Sequence, residues 1–180
     1  MSTINLAICG IGTVGAATLN LIQQQANELA AKTNLDIKIS YIGWRTPKDN
    51  ISTSGITTTT DVLEVTKQAN VDIVVELIGG ITIAKELVLA AITAGKHVVT
   101  ANKQLLAEHG DEIFAAAREH NVAVAFEASV AGGIPIIKAI REGLVANNID
   151  SLAGIINGTS NFILTQMAQK KTAFADVLAT

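Results

Sequence analysis

Short apolar runs rich in β-branched residues alternate along this chain with longer stretches whose apolar positions recur every three to four residues. A continuous or period-two apolar run fits a strand, and the longer period fits an amphipathic helix. Their repeated succession predicts βαβ units and hence an α/β fold, a doubly wound parallel sheet. Residues 4–9 (INLAIC) form the first strand. Residues 14–31 follow as a helix, with Val14, Ala17, Leu21, Ile22 and Leu29 on one face. Residues 37–42 read as the second strand. Residues 45–60, polar and punctuated by Pro47 and Gly55, read as a surface loop ending in a short extended piece. Asp61 is placed to cap a helix running to about residue 70.

Residues 71–78 (VDIVVELI) are apolar almost throughout, which predicts a strand covered on both faces. The cycle continues with a helix over 82–94 stopped by Gly95, a strand over 97–100, a helix over 104–120 and a strand over 122–126. From Gly132 the character changes. Pro135 starts a helix to about residue 144, a strand is expected near 152–156, and Asn157-Gly158-Thr159 opens another helix. A boundary at Gly132/Gly133 divides the chain into residues 1–132 and the beginning of a second domain, residues 133–180. The sequence stops inside a helical pattern, so that second domain is expected to be cut short.

Composition narrows the function classes. The 180 residues are 49% hydrophobic and 16% charged, enough apolar surface to offset the entropy of ordering a core. Thirteen Lys plus Arg against sixteen Asp plus Glu, a net charge of −3, leave no basic stripe for nucleic acid. No apolar run approaches the roughly 20 residues of a bilayer span, and the N-terminus has no secretion-signal pattern. The single cysteine, Cys9, excludes an internal disulfide framework. A soluble cytoplasmic protein acting on a small molecule is expected, with neither nucleic acid nor membrane as partner.

Gly10-Ile11-Gly12-Thr13-Val14-Gly15 matches G-x-G-x-x-G between a strand and a helix. Gly10 makes the tight turn, Gly12 lets the backbone approach a pyrophosphate, and Gly15 lets helix and strand pack closely. Exposed N–H groups and the positive helix end bind the anion. Thr13 either adds its hydroxyl to the phosphate or caps the helix. The second strand ends Ile42-Gly43-Trp44-Arg45, without the carboxylate that takes ribose hydroxyls in NAD sites. Asp36 lies at the wrong end of that strand and reads as a solvated strand start. Arg45, helped by Lys48, suits a 2′-phosphate, which favours NADP over NAD; a surface arginine in a polar loop is the plain alternative. Cys9, beside the glycine turn, reads as a buried structural thiol.

Glu76-Leu77-Ile78-Gly79-Gly80 and Thr100-Ala101-Asn102-Lys103 stand at carboxyl ends of strands, where doubly wound sheets bind ligands, and should face the nicotinamide half of a dinucleotide. Gly79 and Gly80 permit close backbone approach. Lys103 is a cation within reach of cofactor, substrate or both, at a helix start that the dipole disfavours; its alternative is a lysine in solvent. Glu127, ahead of a glycine-rich turn, either accepts hydrogen bonds or gives one ligand to a cation whose others are backbone carbonyls.

In this order and spacing, GIGTVG, ELIGG, TANKQLLA, FEASVAGGIPII and NGTSNFILTQM closely resemble the N-terminal portion of homoserine dehydrogenase. The resemblance implies reversible NAD(P)H-dependent reduction of L-aspartate 4-semialdehyde to L-homoserine, in threonine, methionine and isoleucine biosynthesis. It implies a Rossmann-type cofactor domain joined to an α+β substrate and dimerisation domain, and a homodimer at full length. Carried over by motif, Gly10, Gly12, Thr13, Val14 and Gly15 would bind cofactor with Arg45, Gly79 and Gly80. Lys103 would be a catalytic residue beside the nicotinamide. Glu127 and the carbonyls of Val130, Gly132 and Ile134 would hold a monovalent cation, sodium, and Asn157, Gly158 and Thr159 would meet the substrate. The family's substrate carboxylates and proton-donating lysine belong to segments absent here, so these 180 residues are expected to bind cofactor but turn over little alone. A non-catalytic dinucleotide sensor is the alternative from another class, and leaves TANK and NGTSN unexplained. A related oxidoreductase such as an aspartate dehydrogenase is the other.

Overall fold

The computed structural model describes residues 1–49, 51–155 and 157–179. They divide into two compact units, Met1–Ala139 and Ile140–Thr180. The first unit is built on a six-stranded sheet in the order β3-β2-β1-β4-β5-β6. Its strands are β1 Ser2–Cys9, β2 Leu35–Gly43, β3 Thr57–Thr59, β4 Ile73–Glu76, β5 His97–Thr100 and β6 Val124–Ala125. Every pairing is parallel. The order reverses between β1 and β4, which makes their carboxyl ends the topological switch point of the sheet.

Helices cover both faces, and the core is accordingly split. On one face Leu87, Val88 and Ile92 of α3 (Thr82–Thr93) and Leu105 and Ile113 of α4 (Lys103–Glu119) pack against Ala7, Cys9, Val74 and Val98. On the other, Leu19 of α1 (Thr13–Gln24) packs with Ile8, Ile39, Ile42, Trp44 and Val75. Fully burying each large aliphatic side chain contributes about 1.5–3 kcal/mol. At the amino ends of the strands the buried Lys96 ties down the loop before β4, its ammonium donating to the carbonyls of Gln68 at 2.6 Å and Val71 at 2.8 Å.

The parallel sheet is as the sequence predicts, though the strands expected over 71–78 and 122–126 are the shorter Ile73–Glu76 and Val124–Ala125, and several helices differ. The first helix is interrupted at Gln25 and resumes as α2 (Ala26–Thr33). Residues 23–28 are all exposed, so no packing holds one axis across the break. The buried face of α1 is also out of phase with the expectation: Gly15 and Leu19 are buried, whereas Val14 and Leu21 are more than half exposed. Gly15 must lie against the turn, and that contact sets the rotation of the helix. Asp61 does cap, its Oδ1 accepting from Leu63 N at 3.0 Å, but it opens a short 3-10 helix, Val62–Lys67, and not a helix to residue 70.

The helix expected from Pro135 is a short α5 (Ile136–Lys138) followed by a π-helical turn, Ala139–Gly143. The strand expected near 152–156 is absent from residues 152–155, which are exposed; Ile156 lies outside the described residues. No strand among the described residues runs beside this segment to take its backbone bonds. The second unit contains α6 (Gly158–Lys170) and α7 (Phe174–Leu178). Among the described residues no helix is long and apolar enough to cross a membrane.

Candidate functional site

The strands around the switch point end flush, because Cys9 is in register with Gly43 on one side and Glu76 on the other. Gly10 N then donates to Gly43 O at 2.8 Å, and Leu77 N to Cys9 O at 2.7 Å, forming a shelf of backbone. Gly10 has φ +95°, and a Cβ on it would run into the Leu77 carbonyl. A Cβ on Gly15 would run into the carbonyl of Gly10. Gly12 differs from both: it is the N-cap of α1, and the space where its Cβ would stand is open to 4 Å. No side chain caps α1 and no acidic residue stands in its first turn, so Thr13 is not a cap. The first N–H groups of the helix are therefore left for an anion.

A cleft of about 570 Å³ opens over this shelf and brings together Gly10, Gly12, Arg45, Lys48 and Gly79. Buried Trp44, whose N donates to Thr59 O at 3.0 Å, anchors the chain leaving β2 and so places the exposed Arg45 at the rim. Asp61 also lines the cleft, its Oδ1 engaged by Leu63 N. Asp36 lies elsewhere, at the start of β2, where Lys38 bonds to it and holds its carboxyl below the usual carboxylate range, with help from Thr3. Thr13, Val14, Gly15, Gly80 and Lys103 do not line this cleft.

Beneath the Gly79–Gly80 turn lies Glu76, fully buried. Its Oε2 accepts from the Thr100 hydroxyl at 2.6 Å and its Oε1 from Ile78 N at 2.9 Å. Burial, and secondarily the Glu76 charge, push the thiol of neighbouring Cys9 up to about 12, against a smaller opposing contribution from its hydrogen bond to the Gly43 backbone. Since the thiolate is the reactive form, native Cys9 is expected to stay silent toward iodoacetamide at pH 8 and to react once the chain is unfolded in urea; alkylation of the native protein at a free-thiol rate would contradict this. Lys103 is the first residue of α4, exposed, and takes part in none of the ion pairs among the described residues.

Glu127 binds backbone: Oε1 accepts from Ile137 N at 2.9 Å and Oε2 from Lys138 N at 2.8 Å. The Ile134 carbonyl accepts from Ile136 N at 2.8 Å, and Val130 and Gly132 are exposed in the turn between. No group of three or more His, Cys, Asp or Glu capable of holding a metal occurs among the described residues. In the second unit Asn157 caps α6, its Oδ1 accepting from Ser160 N at 2.9 Å, with Gly158 and Thr159 in the first turn.

Residues 10–127 match the family described as homoserine dehydrogenase, NAD binding domain, and residues 135–180 match the family described as homoserine dehydrogenase. The chain belongs to the homoserine dehydrogenase family. Homoserine dehydrogenase of Pseudomonas aeruginosa is 55% identical over 99% of the chain, and that of Neisseria gonorrhoeae 51% over 99%. The crystal structure of a homoserine dehydrogenase from Thiobacillus denitrificans superposes with a TM-score of 0.92 at 52% identity, over 99% of this chain and 42% of that one. The chain spans 41% of the length of the first two relatives.

Trp44 and Asp61 as parts of the cleft wall escape a reading of the sequence, and Glu76 and Asn102 are read there as members of segments at strand ends but not for the bonds they make. For Glu76 the available signal is an acid inside an otherwise apolar strand. For Asn102 it is its place just ahead of a helix, which accounts for a cap but not for the second bond described below.

Proposed function

We propose that this chain supplies the NADP-binding domain and the first part of the substrate domain of a homoserine dehydrogenase interconverting L-aspartate 4-semialdehyde and L-homoserine. The observation that carries the reading is the cleft at the switch point, where an uncapped helix N-terminus and an open cradle at Gly12 adjoin Arg45 and Lys48. The cradle fits a dinucleotide: a pyrophosphate can take the space a Cβ would fill. When bound, the dinucleotide supplies the hydride. The N–H groups of Gly12 to Gly15 hold its phosphates, with the Thr13 hydroxyl and Val14 backbone at the same turn, and Gly79 and Gly80 let the backbone lie close to its other end.

Lys103 is the catalytic residue of this segment. Its ammonium faces the negative charge that develops on the aldehyde oxygen, where one preorganised donor is worth a few kcal/mol in a dry site. Asn157 orders the start of α6 so that the Gly158 and Thr159 amides and the Thr159 hydroxyl meet the carboxylate of the amino-acid end. Glu127, with the carbonyls of Val130, Gly132 and Ile134, suits a monovalent hard cation such as sodium, since each carboxylate oxygen keeps a lone pair beyond its bond to Ile137 N or Lys138 N. That cation would steady the turn at Gly132/Gly133, where the sequence places the domain boundary. On the same reading the full-length protein is a cytoplasmic homodimer. Support for pairing comes from the exposed apolar side chains of the second unit, among them Leu152, Ile155, Phe162 and Leu164.

Arg45 decides the cofactor. Titration of intrinsic NADPH and NADH fluorescence is expected to show tighter binding of NADPH, and Arg45→Ala to weaken NADPH by about tenfold or more with NADH unchanged, as the loss of a charge-assisted bond requires. Equal affinities in the unaltered chain would overturn this role.

A further inference from the structure

The loop of residues 76–80 and the loop of residues 100–102 are closed into one ring by side chains. At its base the buried Glu76 carboxylate takes the Thr100 hydroxyl at 2.6 Å. In the middle, Thr100 Oγ1 accepts from Asn102 N at 3.0 Å. At its tip Asn102 Nδ2 donates to the Gly80 carbonyl at 2.6 Å. The other end of the same amide, Oδ1, accepts from Leu105 N at 3.1 Å and caps α4. This orientation is the chemically consistent one, since Gly80 offers only an acceptor and Leu105 N only a donor.

The ring has features a purely structural contact does not require. Glu76 is fully buried and belongs to none of the ion pairs among the described residues, and desolvating a carboxylate costs several kcal/mol that an apolar residue would not incur. Gly79 and Gly80, at φ +78° and +71°, form the least self-restrained dipeptide available to a chain. Gly79 lines the cleft, so its wall needs a restraint from outside the loop, and the Asn102 amide provides one. That side chain also fixes the start of the helix whose first residue is Lys103.

We propose that Asn102 is a positioning residue for the nicotinamide end of the cofactor, holding the Gly79–Gly80 wall and the Lys103 backbone in register through the Glu76–Thr100–Asn102 clasp. The proposal rests on the dinucleotide reading above. Asn102→Ser and Asn102→Asp each keep an oxygen for Leu105 N, hence the helix cap; Asp has no donor for Gly80, and the shorter Ser hydroxyl does not reach the position of the Asn102 amide nitrogen. NADPH and 2′-phospho-ADP-ribose, which lacks only the nicotinamide, are the two probes. In both variants NADPH affinity is expected to fall roughly three- to tenfold, the range set by one lost hydrogen bond. The fragment should bind within twofold of the unaltered chain, with the melting temperature held. Parallel weakening of both probes, or no change in either, overturns the clasp while leaving the dinucleotide reading intact. Failure of the unaltered chain to bind either probe overturns both.

Discussion

Gly15→Ala is expected to unfold the chain at markedly lower urea concentration and to abolish NADPH binding, whereas Gly12→Ala should abolish binding alone. Both changes add one methyl group to the same six-residue turn, and the difference lies in what the methyl meets. At Gly15 it would meet the carbonyl of Gly10, a backbone atom that cannot rotate away. Either α1 lifts from β1 or the turn opens, and overpacking of this kind costs about 1–3 kcal/mol or more. Lifting α1 also withdraws buried Leu19 from Ile8 and Ile42, which places the loss toward the upper end of that range. At Gly12 the methyl meets no atom within 4 Å, so the fold has nothing to lose. The methyl would occupy the volume proposed for the pyrophosphate, and binding fails there by exclusion. Urea titration followed by circular dichroism, paired with NADPH fluorescence on each variant, separates the two. A Gly15→Ala midpoint equal to that of the unaltered chain would contradict the geometry, and undiminished binding by Gly12→Ala would place the phosphates elsewhere.

The glycines of this turn show what a sequence of this kind makes legible. Where only glycine satisfies the backbone, as at Gly10 and Gly15, residue type and spacing announce the geometry directly. The central strands are legible for a similar reason: β1 and β4 are covered on both faces and read as mostly apolar runs. The phase of α1 is not legible, because Val14 and Leu21 are as apolar as Leu19 and only the packing of Gly15 selects among them. The segment over 152–155 has strand-like residues, but a strand forms only where a neighbour takes its backbone bonds. The clasp lies furthest from a linear reading. Glu76 and Thr100 stand 24 residues apart and meet because β4 and β5 pair them in register. Nothing local to either residue specifies that partner. The same holds for Asn102, whose place just ahead of a helix suits a cap but says nothing of its bond to Gly80 across the loops.

On the proposed function, Lys103→Ala should lower kcat for homoserine oxidation by the full-length protein about 10²- to 10³-fold, the loss that follows removal of one charge-stabilising donor. The same substitution should leave the chain no less stable. Lys103 opens α4, where the positive end of the helix dipole repels an ammonium, and none of the ion pairs among the described residues offsets that repulsion. A surface charge of the wrong sign at a helix end costs about 0.3–1 kcal/mol, so alanine, a better helix former, should hold or raise the urea midpoint. A residue that opposes its own helix yet is needed for rate is the signature of a site placed for chemistry at the expense of stability. Its placement is explained by its neighbour: Asn102 bonds to Gly80 beside the cleft wall, so the lysine that follows is carried to the same end of the sheet. The two measurements together are decisive. A stabilised variant with kcat within threefold of the unaltered enzyme would return Lys103 to solvent, and a destabilised one would mean that the ammonium has a structural partner rather than a reacting one.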